Sequence, residues 1–220
     1  REDGSGIPYR YARYKKERID VTTGTFYEQF GSGMILRTYE EWGLGWDNSI
    51  DGVRVKGEPL RGLRLTGLVG RQRNARSYKV EDLSAGLIRG FDADWSINES
   101  FDSLASAKTR LSLGAGFVSR FQTDEDPILV IPENVAAFST RFNFGRGGFN
   151  ISGEYAQKIN DPSSVNNQIY KEGSGILVQT SYSKPGLGVS LQWKRIDNMD
   201  FRSDRDAVGN DLGLNFLPPQ

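Results

Sequence analysis

Arg54, Arg64, Asp92, Asp94, Arg120, Arg141, Glu154, Lys158 and Lys194 each fall on the polar row of a segment in which apolar and polar residues alternate. Lys56, Gln179 and Gln192 do the same. Turned into an enclosed β-sheet interior, such side chains can filter solutes by sign and size. They can also pair with one another and simply fill that interior. Both signs are mixed here, and a barrel of about ten strands has little free lumen, so mutual pairing is the expected use. Asp92 and Asp94 stand two apart on one row, ~7 Å between Cα atoms. Paired carboxylates do acid/base work in glycosidases. Ion pairing across strands with Arg120 or Arg141 is commoner and is the expectation here.

The other motifs carry weaker chemistry. Gly31-Ser32-Gly33 lacks the Gly-Lys-Ser/Thr ending and the following helix of a phosphate loop, so it reads as a break between strands. Glu28, Gln29, Arg37 and Glu40 flank that break. They are candidates for a latch folded into the lumen or for a partner-binding segment; local turn hydrogen bonding is the alternative. Asp124-Glu125-Asp126, and Asp197 to Asp200 with Asn198, lack the spaced ligands of a calcium loop. They read as solvated loop acid, and no metal site or cofactor is expected. Tyr9, Tyr11 and Tyr14 alternate with Arg10 and Arg13. Such interleaving can bind single-stranded nucleic acid, but an interfacial aromatic girdle on a strand is the better reading.

The elements that position these residues are strands. Alternation predicts them at 8–17, 19–30, 50–57, 62–72, 83–97, 109–122, 134–145, 149–159, 174–184 and 187–197. Residues 33–39 either add a strand or continue the second. In 109–122 one row reads Leu111, Leu113, Ala115, Phe117, Phe121 and the other Ser112, Gly114, Gly116, Arg120, Gln122. Segments of ~10 residues suit a tilted crossing of a bilayer. The joints at 57–61, 145–148 and 185–186 are short. Those at 73–82, 123–133, 160–173 and 198–210 are long and polar. Tight turns on one rim and long loops on the other mark an up-and-down barrel.

Two features fit less well. The joint at 98–108 should be tight and is not; Phe101 and Leu104 are expected to tuck against the rim. Arg89 falls on an apolar row, so it must lie near a rim or follow a bulge at Gly90. The run Leu212-Gly213-Leu214-Asn215-Phe216-Leu217 reads as one more strand beginning.

Composition excludes several functions. The chain has 28 basic and 28 acidic residues, so it lacks the basic excess of a nucleic-acid binder. It has no Cys and no His. The commonest general base, the thiolate metal ligands and the imidazole that would activate a nucleophile are therefore all missing. No stretch approaches the ~18 apolar residues of a membrane helix, which leaves barrels open, because a barrel strand shows lipid only every second residue.

At 26–40 the chain reads Phe-Tyr-Glu-Gln-Phe-Gly-Ser-Gly-Met-Ile-Leu-Arg-Thr-Tyr-Glu. It continues through Leu44-Gly45-Trp46-Asp47-Asn48-Ser49, Gly52-Val53-Arg54-Val55 and Gly67-Leu68-Val69-Gly70-Arg71-Gln72-Arg73. This resembles an uncharacterised family of Bacteroidota outer-membrane β-barrel proteins, whose members are longer at both ends. Tyr9-Arg10-Tyr11-Ala12-Arg13-Tyr14 and Asn215-Phe216-Leu217-Pro218 are similar to it too. The resemblance implies a location and a part of a longer chain; it supplies no activity, substrate or catalytic residue.

The expected fold is therefore all-β: an antiparallel up-and-down transmembrane β-barrel of about ten or more strands. Residues 1–220 form a single barrel domain of a longer chain, with part of the wall missing. The expected function is non-enzymatic, in the bacterial outer membrane. The partners are the lipid bilayer and other outer-membrane or periplasmic proteins. The role is a structural or partner subunit of an envelope complex, or a narrow, porin-like pore. The alternative is a soluble secreted β-sheet module that binds a glycan or a protein, its apolar rows packed against another layer.

Overall fold

A computed structural model describes residues 9–75, 82–125, 128–159, 161–207 and 211–216. Pro8 of the first expected strand, most of the 73–82 joint, Asp126, the end of the 198–210 joint, Leu217 and Pro218 lie outside the described residues.

Ten strands form one antiparallel sheet, each paired with its neighbours in chain order. They are β1 (Tyr11–Lys16), β2 (Ile19–Phe26), β3 (Ile50–Leu60), β4 (Leu63–Gln72), β5 (Leu87–Ser96), β6 (Thr109–Phe121), β7 (Asn134–Arg146), β8 (Phe149–Lys158), β9 (Gly173–Lys184) and β10 (Leu187–Asp197). The sheet is not closed: β1 and β10 are its two edges.

Tight turns at Glu17-Arg18, Arg61-Gly62, Gly147-Gly148 and Pro185-Gly186 lie at one end of the sheet. Gly62 and Gly186 take φ of 82° and 80°, the left-handed values that tight hairpins require and that glycine adopts without strain. The 97–108 connection shares this end. It folds into two helical turns, Ile97–Ser100 and Asp102–Ala105. Phe101 and Leu104 stay exposed there rather than tucked in, while Asn98 ties the connection to β6 through Leu111 N–H (2.9 Å) and the Thr109 carbonyl (2.8 Å). The long connections meet at the opposite end.

Several expected boundaries shift. The wall strand of 19–30 stops at Phe26; Gln29–Phe30 then leaves the wall and pairs with Leu36–Arg37 in a small ribbon. Residues 33–39 therefore neither extend β2 nor add to the wall. The third strand runs to Leu60 through a bulge between Gly57 and Leu60, so the joint is two residues rather than five. The expected 83–97 strand begins only at Leu87: Leu83 makes an isolated bridge to Arg73, and Ile97 opens a helical turn. Pairing of β5 with both neighbours is uninterrupted through Gly90, so no bulge rephases it. Arg89 remains on the apolar row, three residues into its strand at the long-loop end, with its guanidinium 5.4 Å from the Phe121 ring centroid. The Tyr9–Tyr14 run does not form one row. Tyr11 faces the side of Gly24 and Tyr14 the side of Val21, and Tyr9 stacks on Tyr27 (6.0 Å).

Register assigns every wall residue to one of two faces. Arg54, Leu68, Gly90, Gly116, Ser139, Ala156 and Gly175 share the inner face. Two segments of the chain cover much of it: 27–49, between β2 and β3, and the described residues of 198–216, after β10. The core is made where they meet the wall. Phe30, Met34, Ile35, Leu36, Met199, Phe201 and Leu214 pack on Leu68, Ile88, Val118, Val135, Ala137 and Leu177. The run at 212–216, expected to begin a wall strand, instead turns inward, where Gly213 bridges Arg202.

Candidate functional site: the filled inner face

Small wall residues let the inner segments approach. A Cβ on Gly116 would meet Ile35 Cδ1 at 2.9 Å and Asp92 Oδ1 at 2.8 Å, so the bare backbone there makes room for the 27–49 segment. The two segments are also laced to each other. Arg37 N–H donates to the Leu214 carbonyl (2.7 Å), and Phe216 N–H to the Gly33 carbonyl (3.1 Å). Asn215 Nδ2 donates to the Met34 carbonyl (2.8 Å), while its Oδ1 accepts from Phe201 N–H (3.1 Å). The Arg37 guanidinium lies against both the Tyr39 and Phe216 rings, 5.3 and 5.0 Å from their centroids, a cation–π arrangement.

The expected charged residues divide by depth. At the long-loop end Arg120 and Lys158 are fully buried and share Asp161. Arg120 Nη2 lies 2.8 Å from Asp161 Oδ1, and Lys158 Nζ lies 3.6 Å from Asp161 Oδ2. Arg120 also donates to the Arg202 carbonyl (3.2 Å), and Lys158 to the Asp200 carbonyl (2.5 Å). Wall cations thus hold the last segment by its backbone. Buried charges persist only where such bonds replace water.

Midway along the wall, Arg141 donates to Asp92 through both terminal nitrogens (2.9 and 2.6 Å) and to Asp94 through Nε (3.1 Å) and Nη2 (2.7 Å). The two aspartates meet Arg141, as cross-strand pairing predicts, and Arg120 meets neither. Their carboxylates are engaged with a guanidinium, the cross-strand ion pairing expected of opposite charges on one face. Next along, Glu154 accepts the Ser32 N–H (2.7 Å). Gly31 lies so close that a Cβ would fall 2.6 Å from Glu154 Oε1, and its φ is 54°.

On the other side Arg54 donates to the Tyr27 carbonyl (2.9 Å) and pairs with Glu28 (3.3 Å), which Lys56 also meets (2.6 Å). Arg64 and Lys194 share the inner face by register. Arg64 is exposed near the tight turns and pairs with Glu99 (3.2 Å).

The latch residues behave unequally. Glu28 and Arg37 reach the wall and the last segment. Gln29 makes a local bond to the Gly31 carbonyl (2.8 Å), and Glu40 is exposed in the ribbon that pairs with Trp46–Asp47. Tyr27 donates its hydroxyl to Asp47 (3.0 Å); burial, and then that carboxylate, push its phenol well above the usual range. Of the loop acids, Asp124 accepts the Ile131 N–H (3.0 Å), Asp197 pairs with Lys171 (3.5 Å) and Asp200 with Arg202 (3.0 Å). Among the described residues no group of three or more carboxylates could hold a metal ion.

Residues 1–220 match the family of unknown function DUF6029 over their whole length. The chain belongs to that family. Comparison with the curated proteins finds no match, and comparison with the solved structures finds none. In this family member the residues that do most to hold the interior together were not evident as site residues from sequence. Asp161, Arg202, Arg205, Gln72 and Asn215 all lie in connections or at strand ends. Gln72 donates to the Gly213 carbonyl (2.6 Å) and accepts from Ser203 Oγ (2.6 Å). Arg205 N–H donates to Gln122 Oε1 (2.9 Å). One signal could have found them: the apolar residues Met199, Phe201, Leu212 and Leu214 sit in an otherwise charged stretch, which a solvated loop does not need.

Proposed function

We propose that this chain is part of the wall, and most of the filling, of an outer-membrane β-barrel. Its role is that of a structural or partner subunit of an envelope complex, without catalytic activity. One observation carries this reading. The outer face of the ten-strand sheet exposes apolar and aromatic side chains from edge to edge, among them Val55, Phe91, Leu113, Phe142, Tyr155 and Leu191, while the inner face buries charge. A sheet in water has the reverse arrangement, and apolar surface on this scale marks a protein or membrane contact.

Strands β3 to β10 run 10–13 residues, or about 33–43 Å at ~3.3 Å per residue. Tilted by ~45°, they suit a hydrocarbon core ~30 Å thick. The similarity of residues 26–40 to Bacteroidota outer-membrane barrels supports that membrane and that lineage. The interior supports the partner role over the pore, because two segments of the chain occupy the lumen side.

Fractionation with bromolipid quenching tests the proposal. The protein should stay in the membrane pellet through a high-salt wash and leave it only with detergent. Reconstituted with brominated lipid, the outer-face residues Trp95 and Trp193 should be quenched. Release by salt, or quenching indifferent to brominated lipid, would favour the soluble module instead.

A further inference from the structure

We propose that a groove on the outer face, at the tight-turn end, seats one phospholipid whose headgroup carries a free ammonium. Its acyl chain lies along the sheet, its phosphate meets Arg18 and its ammonium meets Glu58. The inference rests on the membrane reading above and adds a defined lipid to it.

The first observation is a gap in the outer rows. Gly57 of β3 stands between Ile19 and Leu65, and Gly67 of β4 between Val55 and Phe91. The four apolar side chains frame an open groove of about 560 Å³ over the two glycines. The backbone does not require glycine at either place, because neither takes a left-handed φ. Packing does not require it either. A Cβ on Gly67 would meet nothing within 4 Å, and one on Gly57 only the Arg18 carbonyl at 3.9 Å. Glycine inside a strand weakens it unless something must come close to the backbone. Within the described residues nothing does, so the guest comes from outside the sheet. In hydrocarbon surroundings an acyl chain gives the walls the dispersion contacts that an empty groove forfeits.

The second observation is the rim. Arg18 and Glu58 line the same groove. The Glu58 N–H donates to the Arg18 carbonyl (3.0 Å), which fixes the two residues side by side. Arg18 is exposed, and its guanidinium has no ion-pair partner among the described residues. Glu58 Oε1 accepts the Gly62 N–H (2.9 Å), which leaves Oε2 for a donor from outside. Lys16, beside Ile19 on the outer row, and Glu17 are exposed and opposite in sign.

Charge and shape together select the ligand. The apolar groove calls for a chain, and its mouth offers one cation and one anion. A fatty acid or a phosphatidylglycerol answers Arg18 and leaves Glu58 facing an uncharged group. A choline headgroup has no N–H to give. A phosphate and an ammonium on one headgroup answer both side chains with charge-assisted bonds.

Native mass spectrometry of the protein in detergent, titrated in turn with phosphatidylethanolamine, phosphatidylcholine and phosphatidylglycerol, tests this. One retained lipid per chain is expected, with phosphatidylethanolamine favoured about two- to fivefold, the range of exposed ion pairs. Arg18→Gln should weaken retention of all three about fivefold, the worth of one basic side chain at a membrane surface. Glu58→Gln keeps an acceptor for Gly62 and should make the ethanolamine and choline lipids equal. Gly67→Leu fills the groove and should abolish retention, while the protein still pellets with membranes. Lys184→Gln, at the β9–β10 hairpin, should change nothing. No retained lipid, equal retention of the three lipids by the wild type, or unchanged retention in a folded Gly67→Leu protein overturns the proposal. If that variant does not fold, unchanged retention in Arg18→Gln overturns it. A dimer in place of the lipid adduct, which would put a second copy in the groove, overturns it too. Release of the protein by salt would remove the membrane reading and this one together, whereas a membrane-held protein with no retained lipid removes this one alone.

Discussion

The outer face of the sheet carries Phe91, Leu113, Phe142 and Leu191 with none of the described residues over them, whereas the inner face buries Arg120, Lys158 and Glu154 beneath two segments of the same chain. The strands supply both faces at once, because alternation sends every second side chain to the other side. The difference lies in what covers them. The inner face is answered from within, by backbone carbonyls, Asp161 and an apolar strip from Phe30 to Leu36. The outer face is left for a surrounding that needs no hydrogen bonds. Stability inside should therefore depend on specific pairs, and stability outside on apolar character alone.

Substitutions that attack one face at a time can break this contrast. The largest effect is expected at Asp161→Ala, which leaves two fully buried cations, Arg120 and Lys158, without their carboxylate. Losing one partner of a buried pair costs ~3–5 kcal/mol, to be read as a lowered unfolding midpoint in urea from detergent or lipid. A change under about 1 kcal/mol would mean that the pair is solvated.

A smaller effect, with a sharper contrast, is expected from adjacent residues of β6. Leu113→Arg on the outer face should cost ~2–4 kcal/mol in a bilayer if it lies near the midplane. Ser112→Arg, on the inner face and only partly buried, should be tolerated within about 0.5 kcal/mol, as surface changes usually are. Equal damage from both would contradict the assignment of faces. The smallest effect belongs to Arg89→Leu. The native arginine lies near the long-loop end of the outer row, where a charge costs only ~0–1 kcal/mol, so the unfolding midpoint should barely move. A gain well above that would place Arg89 deep in the apolar layer.

The strands were legible because their signal is local. Period-two alternation in 109–122 and 187–197 needs no knowledge of the rest of the chain, and register then follows from the tight turns. The connection order, short and long by turns, gave the topology. The interior was less legible, because its contacts join residues far apart in sequence. Asp161 reads as part of a Pro-Ser-Ser loop until Arg120 is seen beside it, 41 positions away in the chain. Residues 33–39 and 212–216 show strand-like composition for another reason: they are apolar because they form the core, not because they extend the wall. Arg89 is the opposite case. Its misfit was visible, but whether a bulge or a rim explained it needed the unbroken pairing of β5 through Gly90. Only the pairing of Asp92 and Asp94 with Arg141 was accessible from both directions, since cross-strand neighbours on one face are a short-range consequence of register.

The chain has no cysteine, so a single spin label can be set at any position without removing native residues. Electron paramagnetic resonance on labels at Arg110→Cys, Leu111→Cys, Ser112→Cys, Leu113→Cys and Phe117→Cys in reconstituted vesicles would compare collisions with oxygen, which concentrates in hydrocarbon, and with a water-soluble nickel complex. Positions 111, 113 and 117 should collide strongly with oxygen and weakly with nickel, with positions 110 and 112 out of phase. Nickel reaching 111, 113 and 117 as freely as a loop label, or both reagents being excluded from them, would show that the outer rows meet water or another protein layer instead of lipid.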